Sequence, residues 1–293
     1  MTHCNSSTGV SLVILAAGLG KRFGGNKPLA PVGDTGKPLM YFSVMDAWHA
    51  GVQRLVLIIN PAIEETINRQ FLPLLPEGLE VTLVCQDTRD LPVSNPVPAR
   101  EKPWGTGHAL WSARHAVAGP MVVINADDYY GRDALGQLVN HFADNNDWAM
   151  ASYPLAKTLS ATGAVNRGVC EVRDGFLAGI AECHNIREEG GLILGGADGN
   201  TTTLAPDTPV SMNVWGFNTR VFDHLERGLE RFAALHGTDR EAEYYLPGMV
   251  AQVISESMRI HVYESRGDWF GITYREDLDH LETVVGVIGK HDG

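Results

Sequence analysis

Residues 11–28 read SLVILAAGLGKRFGGNKP and place an apolar run directly before a loop rich in glycine and positive charge. An unbroken apolar run such as 11–17 is typical of a strand buried on both faces of a parallel sheet. The glycines that follow let the backbone turn its N–H groups towards phosphate oxygens, and Lys21, Arg22 and Lys27 concentrate positive charge there. The stretch predicts a strand followed by a polyphosphate-binding loop; an ordinary strand-to-helix turn is the alternative.

This loop follows neither of the two best-known phosphate-binding patterns. The dinucleotide fingerprint G-x-G-x-x-G would need glycine at Phe23, and G-x-x-x-x-G-K-[ST] does not occur in the chain. Zinc-type Cys/His spacing, H-E-x-x-H and G-x-S-x-G are absent as well. The sequence therefore argues against a dinucleotide loop, a P-loop, a zinc site and a serine-hydrolase nucleophile.

Short β-branched runs alternate with amphipathic stretches through the first half of the chain. Strands are predicted at 54–59, 80–85 and 121–126, and helices at 39–50, 63–72 and 107–117. Strands that alternate with helices of this length predict an α/β fold with a doubly wound, mostly parallel, Rossmann-like sheet.

Beyond about residue 151 the pattern changes to an inserted antiparallel β subregion. Strands are predicted at 169–172, 176–182 and 209–217, with a turn at 173–175 and an exposed hairpin or loop at 188–207. Helices at 222–235 and 241–254, a strand at 260–263 and a closing helix at 276–288 follow. Because no composition shift separates these parts, residues 1–293 are predicted to form a single domain.

The composition of the 293 residues limits the classes of partner. A formal charge of −12 and a hydrophobic fraction of 44% are typical of an acidic globular protein, and they argue against nucleic-acid or anionic-membrane binding. No apolar run approaches the roughly 20 residues of a membrane helix. The 4 cysteines include no CxxC pair, which favours a reduced, cytoplasmic protein over a disulfide framework.

The motifs LAAGLGKRFGGNKPLAPV (15–32) and GKPLMYFSVMDA (36–47) resemble the signature of the sugar-1-phosphate nucleotidyltransferases. Within that family the chain is similar to the uridylyltransferase domain that acts on N-acetylglucosamine 1-phosphate. GTGHA (105–109), Ala126-Asp127, Glu182, Asn213 and residues 241–246 follow in the family's order. The resemblance implies a GT-A-type fold and an Mg²⁺-dependent enzyme of nucleotide sugar biosynthesis. Its partners would be a nucleoside triphosphate, with UTP favoured, and a sugar 1-phosphate; self-association is left open.

The resemblance assigns nucleotide binding to the first half of the chain, residues 1–150. Arg22 and Lys27 are the implied catalytic cations. Gln86, Gly105 and Thr106 match the positions that read the nucleobase, with a loop glutamine beside a helix-starting turn as the alternative. The remaining implied phosphate contacts are Ala16, Ala17, Gly18, Gly20 and Lys21.

A metal ligand is implied at Asp127, which follows the predicted strand 121–126. Ligands of open α/β sheets bind at the carboxyl ends of the strands, and Mg²⁺ takes few protein carboxylates when phosphates complete its shell. An N-cap for a helix from Asp133, or a solvated pair of carboxylates with Asp128, is the alternative. The family's later aspartate falls on Gly271 of this chain, so Asp268 is predicted to supply the second carboxylate.

The second half, residues 151–293, is the implied sugar-phosphate-binding part. Gly168, Glu182 and Asn213 match contacts to the sugar phosphate, with structural roles as the alternative for Glu182 and Asn213. Many relatives read E-K-P where this chain has Glu182-Cys183-His184, so their phosphate-binding lysine is missing. Two other functions stay open: a nucleotidyltransferase for a non-sugar alcohol phosphate, and a nucleotide-binding regulatory protein without turnover.

Overall fold

A mixed sheet of 11 strands forms the centre of the computed structural model, which describes residues 9–18, 27–93, 97–160, 163–196 and 200–272. Among the described helices none is both long and apolar enough to cross a membrane. The strands are β1 (Ser11–Ala16), β2 (Pro31–Val32), β3 (Lys37–Pro38), β4 (Arg54–Ile59), β5 (Glu80–Cys85), β6 (Met121–Asn125), β7 (Asp128–Tyr129), β8 (Trp148–Pro154), β9 (Val165–Arg173), β10 (Phe176–Glu189), β11 (Leu192–Gly196), β12 (Thr202–Leu204), β13 (Pro209–Phe217), β14 (Ile260–Glu264) and β15 (Phe270–Gly271). The helices are α1 (Leu39–His49), α2 (Glu64–Thr66), α3 (Thr106–Ser112), α4 (Gly131–Asp144), α5 (Val221–His236) and α6 (Leu246–Ser255).

The part of the sheet formed by β1, β4, β5 and β6 has the predicted parallel arrangement. Strands β5, β4, β1 and β6 lie side by side in that order, and each neighbouring pair is parallel. Along β1, Leu12 and Ile14 pack into one hydrophobic cluster, whereas Val13 and Leu15 pack into another. Since the strand is covered on both faces, its unbroken apolar sequence is accounted for.

Beyond β6 the predicted antiparallel strands are present, but they belong to the main sheet, so that sheet is not mostly parallel. Strand β13 lies between β6 and β8 and is antiparallel to both, and β9 and β10 form an antiparallel hairpin. Only β8 and β14 restore a parallel pair. The sheet is therefore mixed, because β13 lies antiparallel between β6 and β8.

Several local elements differ from their predictions. The predicted helix 63–72 is a succession of short turns that includes a π-helix at Ile67–Phe71. The predicted helix 241–254 begins only at Leu246, with Pro247 in its first turn, where proline's missing N–H costs nothing. The turn at 173–175 is present, with Asp174 and Gly175 both at positive φ. The predicted helix 276–288 lies outside the described residues.

Candidate active site

A cavity of about 300 Å³ opens where the nucleotide half of the sheet meets β9 and β13. Several predicted site residues line it together, and so do others that the sequence analysis did not single out. Its polar and aromatic lining includes Asn125, Asp127, Asp128, Arg167, Asn213 and Trp269.

The ends of β1 and β6 bring Ala17 and Gly18, the first residues after β1, to the side of Asp127. Leu15 pairs with Asn125, and the Ala126 N–H donates to the Leu15 carbonyl over 3.2 Å. The Asp127 carbonyl accepts the Ile272 N–H at 2.9 Å, which fixes the backbone on its other side. The first residues after β1 therefore leave the sheet beside Asp127, at the edge where the sequence predicts the ligand.

Several predicted phosphate contacts fall in this loop. Ala16 and Ala17 are buried and Gly18 is exposed at the point where the loop leaves β1. Gly20, Lys21 and Arg22 lie outside the described residues. Lys27 begins a short 3-10 helix at Lys27–Leu29, and its ammonium group lies outside the described part of the chain. The roles assigned to these four residues remain predictions.

Asp128 is held by hydrogen bonds from two neighbours on the same turn. Its Oδ2 accepts the Asn125 Nδ2–H at 2.8 Å and lies 3.2 Å from the Tyr130 hydroxyl. Burial raises the pKa of Tyr130 well above its usual value, so that hydroxyl remains a donor. The helix α4 begins at Gly131 with Tyr130 as its N-cap residue and no side-chain cap, which removes the N-cap role considered for Asp127.

Gly271 stands opposite Asp128 in the short antiparallel pair of β15 and β7. A β-carbon at Gly271 would lie 2.7 Å from Asp128 Oδ1 and 2.5 Å from the Trp269 ring. An aspartate does not fit there because the Asp128 carboxylate and the indole already fill the space. This contact gives a physical reason for the chain's departure from the family pattern at Gly271.

Asp268 is not among the residues that line the cavity. Its side chain is 69% exposed and its Oδ1 lies 3.4 Å from Lys157 Nζ. Within the described residues no group of three or more His, Cys, Asp or Glu side chains is suited to a metal. Asp127 and Asp128 supply two neighbouring carboxylates, which fits an ion that takes its remaining oxygens from phosphate and water.

Gln86 is buried and its amide is fixed from one side. Its Nε2 lies 2.8 Å from His108 Nδ1 and 3.3 Å from the Gly105 carbonyl. His108 Nε2 lies 2.7 Å from the Asp90 carbonyl, so the ring carries its proton on Nε2 and accepts at Nδ1. Burial lowers the pKa of His108, which favours this neutral form. The Nε2 donor of Gln86 is thus engaged, Gln86 is not among the residues that line the cavity, and its base-reading role remains a prediction.

The turn of Gly105, Thr106 and Gly107 packs against residues 244–246. Gly105 has φ of 96°, and a β-carbon there would lie 2.7 Å from the Tyr244 carbonyl. Thr106 Oγ1 accepts the Leu246 N–H at 2.9 Å, at the start of α6. The turn therefore has a structural task, joining the two halves, in addition to the base-reading role predicted for Gly105 and Thr106.

Two of the three predicted acceptor contacts lie on the cavity. Gly168 and Asn213 line it, whereas Glu182 does not: its side chain is 67% exposed and its Oε1 is 3.9 Å from His184 Nδ1. Asn213 has φ of 63°, and its amide donates to Asn125 Oδ1 at 2.7 Å and accepts from Trp215 Nε1 at 2.9 Å. This amide network joins β6 to β13, which gives Asn213 a structural role as well.

Arg167 lies on the cavity beside Gly168 and was missed by the sequence analysis. The available signal was a cation directly before Gly168 in the run NRGVCEV of an acidic chain. One arginine among 23 basic side chains does not stand out until β9 is paired with its neighbours.

Comparison with known sequences gives one family and one curated relative. Residues 12–227 match the family described as "MobA-like NTP transferase domain". Over 131 residues, 43% of this chain, the sequence is 29% identical to the "Bifunctional IPC transferase and DIPP synthase" of Thermococcus kodakarensis. The match spans only 26% of that relative's length.

Solved structures share the fold across nearly the whole chain. A UDP-glucose pyrophosphorylase complexed with UDP-glucose has a TM-score of 0.62 at 16% identity, covering 94% of this chain and 98% of its own. The UTP-bound UGPase from Acinetobacter baumannii gives 0.61 at 15% identity, covering 95% and 93%. The inositol-1-phosphate CTP transferase from T. maritima gives 0.60 at 14% identity, covering 91% and 90%. At these identities the likeness establishes the fold alone.

Proposed function

The chain belongs to the MobA-like NTP transferase domain family, and on that premise we propose that it joins a nucleoside triphosphate to a sugar 1-phosphate, with UTP favoured. The products are a nucleotide sugar and pyrophosphate. The observation that carries the proposal is the pairing of Leu15 with Asn125, which brings the end of β1, and with it Ala17 and Gly18, towards Asp127 on the cavity wall. The narrower resemblance to the N-acetylglucosamine-1-phosphate uridylyltransferase domain is part of the same proposal.

The reaction needs no nucleophile from the protein. A phosphate oxygen of the acceptor, already ionised at neutral pH, attacks the α-phosphorus in line as pyrophosphate leaves. The chain must hold two anions that repel each other and stabilise the charge that develops on the α-phosphoryl oxygens. Backbone N–H groups around Gly18 and Gly20 and the cations Lys21, Arg22 and Lys27 are suited to that task.

The metal would be held by Asp127, with Asp128 beside it on the cavity, whereas Asp268, the second ligand predicted from the sequence, is exposed and lies off the cavity. When bound, Mg²⁺ would neutralise phosphate charge that the protein's own cations do not cover. Asn125 and Tyr130 keep Oδ2 of Asp128 in a fixed position through their hydrogen bonds. These contacts orient the carboxylate before any ligand arrives.

Base selection would come from Gln86. Because His108 and Gly105 engage its Nε2, the remaining Oε1 accepts a hydrogen bond from a base N–H. The imino N–H of uracil meets that need, which supports UTP. The exocyclic amine of cytosine also offers a donor, so CTP is the principal competitor.

A second candidate function is transfer to an alcohol phosphate. Glu182 lies off the cavity and Cys183 stands where relatives carry a lysine, so the sugar-binding pattern is incomplete. The relative from Thermococcus kodakarensis is named for IPC transfer, and one solved structure of the same fold is named for inositol 1-phosphate. Both names favour including polyol phosphates among the acceptors.

Pyrophosphate release measured over a matrix of substrates tests the proposal. The common nucleoside triphosphates are combined with sugar 1-phosphates and polyol phosphates, with and without Mg²⁺. Release that needs a sugar 1-phosphate and is fastest with UTP supports it. Release only with a polyol phosphate favours the second candidate, and nucleotide binding without release in any pair favours a regulatory protein.

A further inference from the structure

Arg167 is a cation on the acceptor side of the cavity with no role in the proposed function so far. It lies on β9, where Gly168 pairs with Glu182 and Arg167 pairs with Cys183 of β10. The same cavity contains the carboxylates Asp127 and Asp128. An anionic acceptor entering this space meets negative charge and needs a positive group to offset it.

The Arg167 guanidinium is anchored by uncharged groups only. Its Nε donates to Thr158 Oγ1 at 3.2 Å, its Nη2 donates to the Thr158 carbonyl, and its Nη1 donates to the Asn166 carbonyl at 2.8 Å. A guanidinium has five N–H donors, so two have no acceptor within the described residues. These hydrogen bonds fix the side chain and leave two of its N–H groups available to a ligand.

Burial works against this charge. It lowers the pKa of Arg167 to about 10, and the charge of Asp128 opposes that shift. A buried charge whose hydrogen-bond partners are neutral is stabilised when a counter-ion reaches it. The surroundings of Arg167 therefore favour an anion at its free donors.

Trp269 supplies a second donor on the same wall. Its ring centroid lies 5.1 Å from the Arg167 guanidinium carbon, and both residues line the cavity. The indole Nε1 is buried and has no hydrogen-bond acceptor in the described part of the chain. Because a buried indole N–H usually has a partner, this orphaned donor indicates a ligand group.

We propose that Arg167 and Trp269 bind the phosphate group of the acceptor, in place of the lysine that relatives carry beyond the position of Glu182. The proposal rests on the proposed function and adds to it the residues that recognise the acceptor's anion. A planar guanidinium with two N–H groups unpaired within the described residues matches two phosphate oxygens, and the indole N–H would be available to a third. Cys183, at the lysine position, lies outside the cavity lining.

Direct binding to the full chain tests this subsite without turnover. Glucose 1-phosphate and myo-inositol 1-phosphate are titrated calorimetrically, with glucose and myo-inositol as uncharged counterparts. At least one ester should bind where its parent alcohol does not. R167M should weaken that binding roughly 10- to 100-fold, as expected for loss of hydrogen bonds to a charged group. R167K keeps the positive charge but lacks the planar guanidinium with its paired N–H donors. Its affinity for the ester should therefore lie between those of the wild type and R167M.

Matched variants separate binding from folding. R173M removes an exposed arginine of the same strand, ion-paired with Glu171, and should bind the esters as the wild type does. W269F keeps an aromatic ring but removes the indole N–H, and it should weaken ester binding several-fold even if R167M does not fold. Esters that bind no better than their parent alcohols, or bind equally to the wild type, R167M and W269F, would overturn the proposal.

Kinetics distinguish this inference from the proposed function. If an active substrate pair exists, R167M should raise the acceptor KM by roughly 10- to 100-fold and leave the KM for the triphosphate nearly unchanged. Ester binding that depends on Arg167, without pyrophosphate release in any pair, rejects the function and keeps the subsite. Turnover with an unchanged acceptor KM in R167M rejects the subsite alone.

Discussion

The nucleotide half of the cavity is built on the ends of parallel strands, whereas the acceptor half is built on the middle of antiparallel ones. Gly18 and Asp127 follow β1 and β6 directly, so the pairing of those strands places both. Arg167 and Gly168 lie within β9, and Asn213 lies where the register between β13 and β8 shifts. In the acceptor half, placement depends on the register between paired strands and not on where a strand ends.

On the proposed function, this contrast divides the residues that the transfer reaction needs from the residues that select the acceptor. The strand-end residues are those that nucleotidyl transfer needs whatever its acceptor. The departures from the family pattern, namely Gly271 beside Asp128 and Cys183 in place of the lysine after Glu182, both fall in the second half. We therefore expect variants of the first half to reduce every reaction and variants of the second half to change acceptor preference.

The largest effect is expected from D127N, which removes the charge of the carboxylate at the end of β6. It should lower kcat/KM by on the order of 10²- to 10³-fold for every acceptor, because transition-state charge is left uncompensated. Pyrophosphate release over a range of Mg²⁺ concentrations measures this loss. D174N changes an aspartate in the exposed turn after β9 and should keep wild-type rates. A D127N enzyme that loses activity with only some acceptors would break the division between the two halves.

The next largest effect is expected from R22A in the glycine-rich loop. Removing one donor to the α-phosphoryl oxygens should lower kcat/KM by on the order of 10²-fold or more. R54A, whose guanidinium is exposed and paired with Glu80, is the control and should be near wild type. Near-wild-type turnover of R22A with every substrate pair would show that the loop is an ordinary turn.

The sequence predicted the position of a residue where that position follows from the local hydrophobic pattern. Strands β1, β4 and β6 are unbroken apolar runs because both faces are covered, and Asp127 could be placed because it follows one of them. The antiparallel strand 209–217 was predicted, but its insertion as β13 between β6 and β8 has no local signature and was not predicted. Arg167 was missed for the same reason: its neighbours Thr158 and Trp269 come from other parts of the chain.

A smaller effect, on stability, is expected when the family's aspartate is restored by G271D. The new side chain must displace the Trp269 ring or the Asp128 carboxylate, and overpacking of this kind costs about 1–3 kcal/mol in the free energy of unfolding. Urea unfolding measures it. G136A places a methyl group in open space on α4 and should be stabilising by about 0.5–1 kcal/mol. If G271D were as stable as the wild type and bound Mg²⁺ more tightly, Asp128 and Trp269 would not account for the glycine.

The smallest effect concerns His108, which fixes Gln86 in the nucleotide half. Burial lowers its pKa in the folded chain from the usual 6.5. As the pH falls below about 6.5, His108 is protonated in the unfolded chain but stays neutral in the folded chain. The free energy of unfolding therefore decreases until the pH reaches the lower pKa of the folded chain. H108N should remove this part of the pH dependence while its amide oxygen still accepts from Gln86. Because burial also lowers the pKa values of His141 and His224, the test is the difference between urea titrations of the two proteins from about pH 7.5 to about pH 5. If the two stability profiles ran parallel, His108 would not be held neutral. His108 would then not fix the Nε2 donor of Gln86, and the preference for a base N–H would lose its support.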